Sequence, residues 1–296
     1  MRMRRIKDAT RLDPEPHPGN AGRMPPVDMN AVVGTHDILF VTIDTLRLDA
    51  AREALASGRT PHLQKFIGGS WEHRHTPGSF TYAAHQAFFA GFLPTPADPA
   101  LPAQRLFAAR FAGSETTGPR TRVFESDNFV TGLAEEGYHT ICIGGVGFFN
   151  KRNALSHVLP GLFHESHWNE ALGVTHPQST ANQFRLAEER LGAASSDQPV
   201  FLFINISALH QPNYFYLRES GPDDRESHAA ALGYVDAQWP LLTAAMERRG
   251  RPWFFIVCSD HGTAYGEDGW RGHRLAHPVV WNVPYAHGFF HPSEAA

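Results

Sequence analysis

The residues best suited to chemistry in this chain are the acid and imidazole that stand side by side in Ser259-Asp260-His261-Gly262. A carboxylate oxygen and an imidazole nitrogen at adjacent positions are ligand types for zinc or a similar divalent cation. The same dipeptide also reads as a plain helix start with a solvated histidine, so partners must come from elsewhere. Asp44 is one. It closes Ile38-Leu39-Phe40-Val41-Thr42-Ile43-Asp44, an apolar run of the same type as the one from Trp253 to Cys258 that precedes Asp260. Alone, Asp44 reads as the cap of a following turn; paired with the Asp260 stretch, it reads equally well as a ligand. His210, just past the apolar run that ends at Ile206, is a further ligand type, as is either His273 or His277 in the glycine-rich stretch after Gly262. A hydroxyl completes the set. Thr81 is expected at the N-cap of an alanine-rich helix, where the ordinary role is capping. Beside a cation and a helix's positive end, its alkoxide would be stabilised and would become a usable nucleophile, with backbone N–H groups facing a phosphate. His85 lies one turn on from Thr81 on the same face, to contact substrate, to orient the site or, the preferred reading, to pack.

These positions are far apart in sequence and need a scaffold that gathers them. The runs 38–44, 199–206 and 253–258 are apolar, β-branched and aromatic, which predicts buried strands of a parallel sheet. Tyr138 to Ile143, closed by Gly144-Gly145, is a fourth. Helices are expected at 127–136, stopped by Gly137, at 179–191 and at 226–249, so that strands and helices alternate as in βαβ units. A short helix opens at Thr60-Pro61 with His62 at the surface, and the Thr81 helix ends at Gly91 with Pro94 beyond. In an open parallel sheet, ligands bind beyond the carboxyl ends of the strands, where Asp44, His210, Asp260 and His261 would meet. Residues 266–278 are expected to be a loop far from any regular element, and no internal repeat or low-complexity tract is visible.

Residues 1–33 mix Arg, Pro, Gly and Asp without periodicity and are expected to form a flexible extension, with Met24 or Met29 as alternative starts. The remainder, 34–296, suits one large α/β domain, since 296 residues at 42% hydrophobic and 19% charged can bury a single sizeable core. A net charge of −4 and the lack of a basic block argue against nucleic acid as a partner. No apolar run approaches the roughly 20 residues of a membrane span, and Met1-Arg2-Met3-Arg4-Arg5 lacks an apolar signal core. A cytoplasmic protein without membrane contact is the expectation. Cys142 and Cys258 both fall in apolar runs and read as buried thiols rather than a disulfide. Eighteen histidines raise the expectation of a metal site without placing it.

Four motifs in order resemble the sulfatase-like branch of the alkaline phosphatase superfamily from residue 37 onward: Ile43 to Asp49, Thr81 to Gly91, Gly233-Tyr234-Val235-Asp236, and Ser259 to Gly262 with Gly266-Glu267. Where sulfatases carry C-x-P-S-R and convert Cys or Ser to formylglycine, this chain has Thr81-Tyr82-Ala83-Ala84-His85. A Thr followed four residues later by His is similar to nucleotide pyrophosphatases and phosphodiesterases. His210 in His-x-Pro-x-Tyr, with His273 after His261, is similar to the soluble domains of phosphoethanolamine transferases. The diesterases supply a further Asp where this chain has Ile206, which weakens a second metal site.

The resemblance implies a three-layer αβα sandwich with a mostly parallel central sheet. It implies one tight divalent metal, zinc first and Mn, Mg or Ca as substitutes, held by Asp44, Asp260, His261 and Thr81. His210 and His273 would hold a second, weak ion or the phosphoryl oxygens of a small phosphorylated substrate. Thr81 would be the nucleophile of a phosphoester hydrolase or phosphotransferase; the alternatives are a sulfuric ester or phosphonate hydrolase and a non-catalytic metal-binding homologue. Loops 94–126 and 144–178 would read the substrate's organic part, and oligomeric state is left open.

Overall fold

Continuous apolarity in the central strands, and apolar stripes on the helices between them, decide the architecture. A computed structural model describes residues 26–91, 105–110 and 117–293. In chain order it begins with α1 (Met29–Val32), β1 (Asp37–Ile43), α2 (Leu48–Ala56), α3 (Pro61–Phe66), β2 (Glu72–His75) and α4 (Thr81–Ala90). Then come β3 (Phe107–Ala109), β4 (Arg122–Phe124), α5 (Phe129–Glu135), β5 (His139–Ile143), α6 (Ala154–Val158), β6 (Glu165–His167) and α7 (Ser179–Ala193). The last part holds β7 (Val200–Ile206), α8 (Arg225–Arg249), β8 (Trp253–Cys258), β9 (Ala264–Tyr265), β10 (Arg271–Gly272), α9 (Pro278–Trp281) and β11 (Asn282–Phe290).

The main sheet has the order β2-β11-β8-β1-β7-β5-β6. From β8 to β6 the strands are parallel, and β11 runs antiparallel to both of its neighbours. Every residue of β1, β7 and β8 is buried, as strands covered on both faces require. Alternation along β1 then separates two cores. Ile38 and Phe40 join Phe201, Phe203 and Phe254 against Met29 of α1, Phe89 of α4 and Phe129 of α5. Leu39, Val41 and Ile43 join Leu202, Ile204 and Phe255 against Phe184 of α7 and Leu232 and Trp239 of α8. The result is the expected three-layer αβα sandwich. Register does the rest: Ile43 pairs with Ile206 and Thr42 with Cys258, so the loops after β1, β7 and β8 leave the same edge of the sheet side by side.

Several expectations need correction. Residues 26–33 belong to the fold, because Met29 and Val32 of α1 are buried in the phenylalanine-rich core; residues 1–25 lie outside the described residues. Residues 266–278 hold β10, which pairs with β9 just before them, and the start of α9 rather than an isolated loop. Thr81 is the first residue of α4 and not its N-cap; Phe80 takes that place, and no side chain caps the helix. Gly91 ends α4 in the left-handed region, at φ 73°, as its composition suggested. Both cysteines are buried and unbridged, as expected. Among the described residues, no helix is long and apolar enough to cross a membrane.

Candidate active site

The ligand atoms of Asp44, Asp260 and His261 lie within 4.8 Å of one another, and all three side chains are buried. The Thr45 amide donates to Asp260 Oδ1 at 3.3 Å and the His261 amide at 3.0 Å. Thr45 reaches it from a left-handed backbone, φ 62°, which is strained for a β-branched residue and is held by its surroundings. Asn205 Nδ2, from β7, donates to Asp44 Oδ2 at 3.4 Å. The remaining oxygens, Asp44 Oδ1 and Asp260 Oδ2, have no hydrogen-bond partner. Burial pushes both carboxyls up, Asp44 to about 6, with repulsion from Asp260 adding to it, and Asp260 to about 7. Two buried carboxylates with an orphan oxygen each are costly unless a cation sits between them, and this donor set fits one.

His261 is prepared to join them. Its Nδ1–H donates to the Gly262 carbonyl at 2.9 Å, which leaves the Nε2 lone pair facing the acids. Burial lowers its pKa, so the ring is neutral, the form that binds metal. Gly262 has to be glycine: a Cβ there would lie 1.9 Å from the Val279 carbonyl oxygen, closing off the approach of α9.

Freed from capping, the Thr81 hydroxyl donates to Asp44 Oδ2 at 3.2 Å and lies 3.3 Å from His261 Nε2. His85 does not contact substrate, contrary to one expectation, because it is fully buried among Phe88, Phe89, Phe149 and Phe203. Its Nδ1–H donates to the Thr81 carbonyl at 2.7 Å, and the Thr42 hydroxyl donates to its Nε2 at 3.0 Å. Asn205 Nδ2 in turn donates to Thr42 Oγ1 at 3.2 Å. Burial drops the His85 pKa to about 3, so this neutral imidazole ties the first turn of α4 to β1.

Sequence reasoning missed Thr42, Asn205 and Arg47. Arg47, 1% exposed, pairs with Asp49 at 2.7 Å and Glu267 at 2.5 Å and donates to the Thr263 carbonyl at 3.3 Å. It fastens the loop after β1 to the loop after β8, and both acids are held below the usual carboxylate range by that guanidinium, against the opposing effect of burial. The signal was present as Arg47, Asp49 and Glu267 inside the quoted motifs, but nothing in spacing says that they pair. Asp236, in the third motif, lies elsewhere; it accepts from the Leu63 amide at 2.7 Å and so caps α3.

His210 and His273 line a cavity of about 350 Å³ that opens over Thr81. Their rings are 5.7 Å apart, and His273 is 4.6 Å from the His261 ring. Neither belongs to the tight metal group. His210 Nδ1 bonds the Gln211 carbonyl at 2.7 Å. Burial, with His261 and His210 nearby, lowers the His273 pKa to about 3. His277 is spoken for by Asp268 at 3.0 Å, so of the two candidates in that stretch it is His273 that turns inward. Residues between 146 and 156 and Val174 line the cavity, as expected of that segment. In 94–126, residues 94–104 and 111–116 lie outside the described residues, and the others do not line it.

A family model described as Sulfatase matches residues 36–290. No curated protein matches the chain. Among solved structures, the C-terminal periplasmic domain of phosphoethanolamine transferase EptC from Campylobacter jejuni is similar at 15% identity and a TM-score of 0.57, over 90% of this chain and 83% of that one. The soluble domain of lipooligosaccharide phosphoethanolamine transferase A from Neisseria meningitidis gives 16% and 0.57, over 86% and 77%. The C-terminal periplasmic domain of EcEptC from Escherichia coli, in complex with Zn, gives 13% and 0.56, over 92% and 78%. These likenesses establish the alkaline-phosphatase-like fold. They also overturn the cytoplasmic expectation, since the similar domains are periplasmic; the missing span and the buried thiols on which it rested say nothing of compartment.

Proposed function

The chain belongs to the sulfatase family, and from that premise we propose a metal-dependent phosphoester hydrolase or phosphotransferase whose nucleophile is Thr81. One observation carries this reading. The Thr81 hydroxyl lies 3.2 Å from Asp44 and 3.3 Å from His261, beside two buried carboxylate oxygens that have no partner. Asp44, Asp260 and His261, with Thr81 as the fourth, are the residues that would hold the cation. Oxygen and imidazole ligands in that number suit zinc, and the zinc-bound Escherichia coli neighbour supports the choice over Mn, Mg or Ca. When bound, the cation supplies positive charge that stabilises a Thr81 alkoxide and offsets charge growing on the phosphoryl oxygens.

The chain's own groups arrange the rest. Thr81 gives its proton to Asp44 Oδ2 and its oxygen bonds phosphorus, while the bond from phosphorus to the departing alcohol breaks on the opposite side. The unpaired amides at the start of α4 and the His273 ring hold non-bridging oxygens. His210, whose Nδ1–H donates to the Gln211 carbonyl, would act from its doubly protonated form, handing the Nε2 proton to the departing oxygen and keeping the one on Nδ1. It then takes one from the water or alcohol that breaks the threonyl phosphate, while Asp44 returns its proton to the Thr81 oxygen as the bond from that oxygen to phosphorus breaks. The substrate is a small phosphorylated molecule, and the compartment is periplasmic or extracellular, as for the similar domains.

The family match favours a sulfuric ester as second reading, although Thr81 stands where formylglycine chemistry needs Cys or Ser. A panel of 4-nitrophenyl phosphate, bis(4-nitrophenyl) phosphate and 4-nitrophenyl sulfate, run on zinc-supplemented protein, ranks the two. Phosphoester turnover that vanishes in Thr81→Ala, with a phosphoryl adduct on Thr81 by mass spectrometry, is the expected result. Near-native phosphoester rates in Thr81→Ala would end the covalent reading, and turnover of the sulfate alone would favour the second.

A further inference from the structure

The cavity that Thr81 lines has a wall built by the segment after β5, with Asn150, Asn153 and Ser156 as its polar side chains, and Arg274 lines it as well. Each polar side chain of the wall already makes a bond within its own segment. Asn150 Oδ1 accepts from the Arg152 amide at 2.9 Å, and Asn153 Oδ1 from the Ser156 amide at 3.0 Å. Ser156 Oγ accepts from the Asn153 amide at 3.1 Å and donates to the Asn153 carbonyl at 3.0 Å. Beyond those bonds, the two Nδ2 amides and the Arg274 guanidinium remain to donate, and the guanidinium can only donate.

Arg274 is held in place for that role. Among the described residues it pairs with no carboxylate, and its guanidinium carbon lies 5.0 Å over the ring of Phe80, the residue before Thr81. Its backbone is in the left-handed region, φ 69°, and its amide donates to the Ser79 carbonyl at 2.8 Å. Such a conformation persists in a residue other than glycine only where the surroundings impose it. Among the described residues, no Asp or Glu lines the cavity. A ligand facing this wall therefore meets donors and one unpaired cation. Carboxylate or phosphate oxygens accept from all of them, whereas an ammonium group is repelled by Arg274 and meets no carboxylate among the described lining residues.

We propose that the substrate's organic part carries a second anionic group, a carboxylate or a phosphate, read by Arg274 with Asn150 and Asn153, and that aminoalkyl esters are disfavoured. The inference rests on the reading of Thr81 as the phosphoryl acceptor, but binding tests it separately. Four monoesters of similar size differ only at the far end: 2-aminoethyl phosphate, propyl phosphate, phosphoglycolate and ethane-1,2-diol bisphosphate. Calorimetry on the zinc-supplemented full chain should give the two anionic ligands about tenfold tighter binding than propyl phosphate, the amine being weakest. Whichever anionic ligand binds tighter identifies the carboxylate or the phosphate as the group read.

Arg274→Gln should bring the four affinities together. Asn153→Asp keeps the cap of α6, since Asp caps as Asn does, but replaces a donor with a carboxylate. It should shift the preference toward the amine by about tenfold. Equal affinities across the series, no measurable binding, or an amine bound at least as tightly as phosphoglycolate overturns the inference. Thr81-dependent turnover in the same preparation reports on the nucleophile separately, so either reading can fail without the other.

Discussion

Asp37 and Asp44 stand at the two ends of β1, equally buried, and live in opposite electrostatic worlds. Asp37, at the amino end, meets Arg249 at 2.9 Å and Arg251 at 3.1 Å and accepts from the Val200 amide at 2.8 Å. Asp44, just past the carboxyl end, has Asp260 for a neighbour and, among the described residues, no cationic partner and one oxygen without a hydrogen bond. The same residue type at the same depth is satisfied in one place and left wanting in the other. Folding alone explains Asp37. Asp44 makes physical sense as half of a site that waits for positive charge, and it lies at the edge where parallel sheets bind ligands.

The sharpest way to break this contrast is at the catalytic edge. Asp260→Asn and Thr81→Ala should each lower phosphoester kcat/KM by at least about a thousandfold, with zinc lost in the first and retained in the second. Equal zinc content in the two variants would separate the acids from metal binding. Next in size is stability at the other edge. Asp37→Asn leaves two arginines without their acid and should cost about 3–5 kcal/mol in urea unfolding. Asn in place of Asp44 removes a buried charge instead, and in metal-free protein it should be neutral or stabilising by about 1–2 kcal/mol.

pH sharpens the same point. In metal-free protein, Asp44 and Asp260 titrate at about 6 and about 7, above the unfolded value near 3.9. Across that window the folded state holds protons that the unfolded state has released, so stability is full below about pH 4 and is lost as pH rises through about 7. Urea midpoints of chelator-treated protein should therefore fall between pH 5 and pH 8 and recover on adding zinc, most strongly at pH 8. A flat profile that Asp260→Asn does not change would contradict the assignment. The smallest expected effect is that of Arg47→Gln, which unfastens the two loops and should lower kcat/KM about tenfold at saturating zinc.

Much of this was legible in the sequence because the central strands are buried on both faces and so appear as unbroken apolar runs: β1, β7 and β8 fall within a residue or two of where composition puts them. The residues that follow them could be named as candidate ligands from type and position. The antiparallel strand and the edge strand beyond it were not legible. β11 carries Pro284, His287 and Gly288, and β2 reads Glu-His-Arg-His; neither looks like a strand outside the sheet that pairs it. Polar contacts across the chain were equally hidden. The path from Asn205 through Thr42 and His85 to the Thr81 carbonyl joins three elements, and no local pattern records it. Thr81 itself was placed one position too early in its helix; the shift matters, because a capping hydroxyl would be occupied by the backbone and could not turn to Asp44.

The most direct test is zinc per chain in the purified wild type, Asp44→Asn and Asp37→Asn proteins, measured by elemental analysis after dialysis against a weak chelator. The expected result is about one ion in wild type, about one in folded Asp37→Asn and none in Asp44→Asn, because a single cation site needs both strand-end acids. Full zinc retained by Asp44→Asn would contradict the claim that the unpaired acid at the carboxyl end of β1 exists to hold a cation.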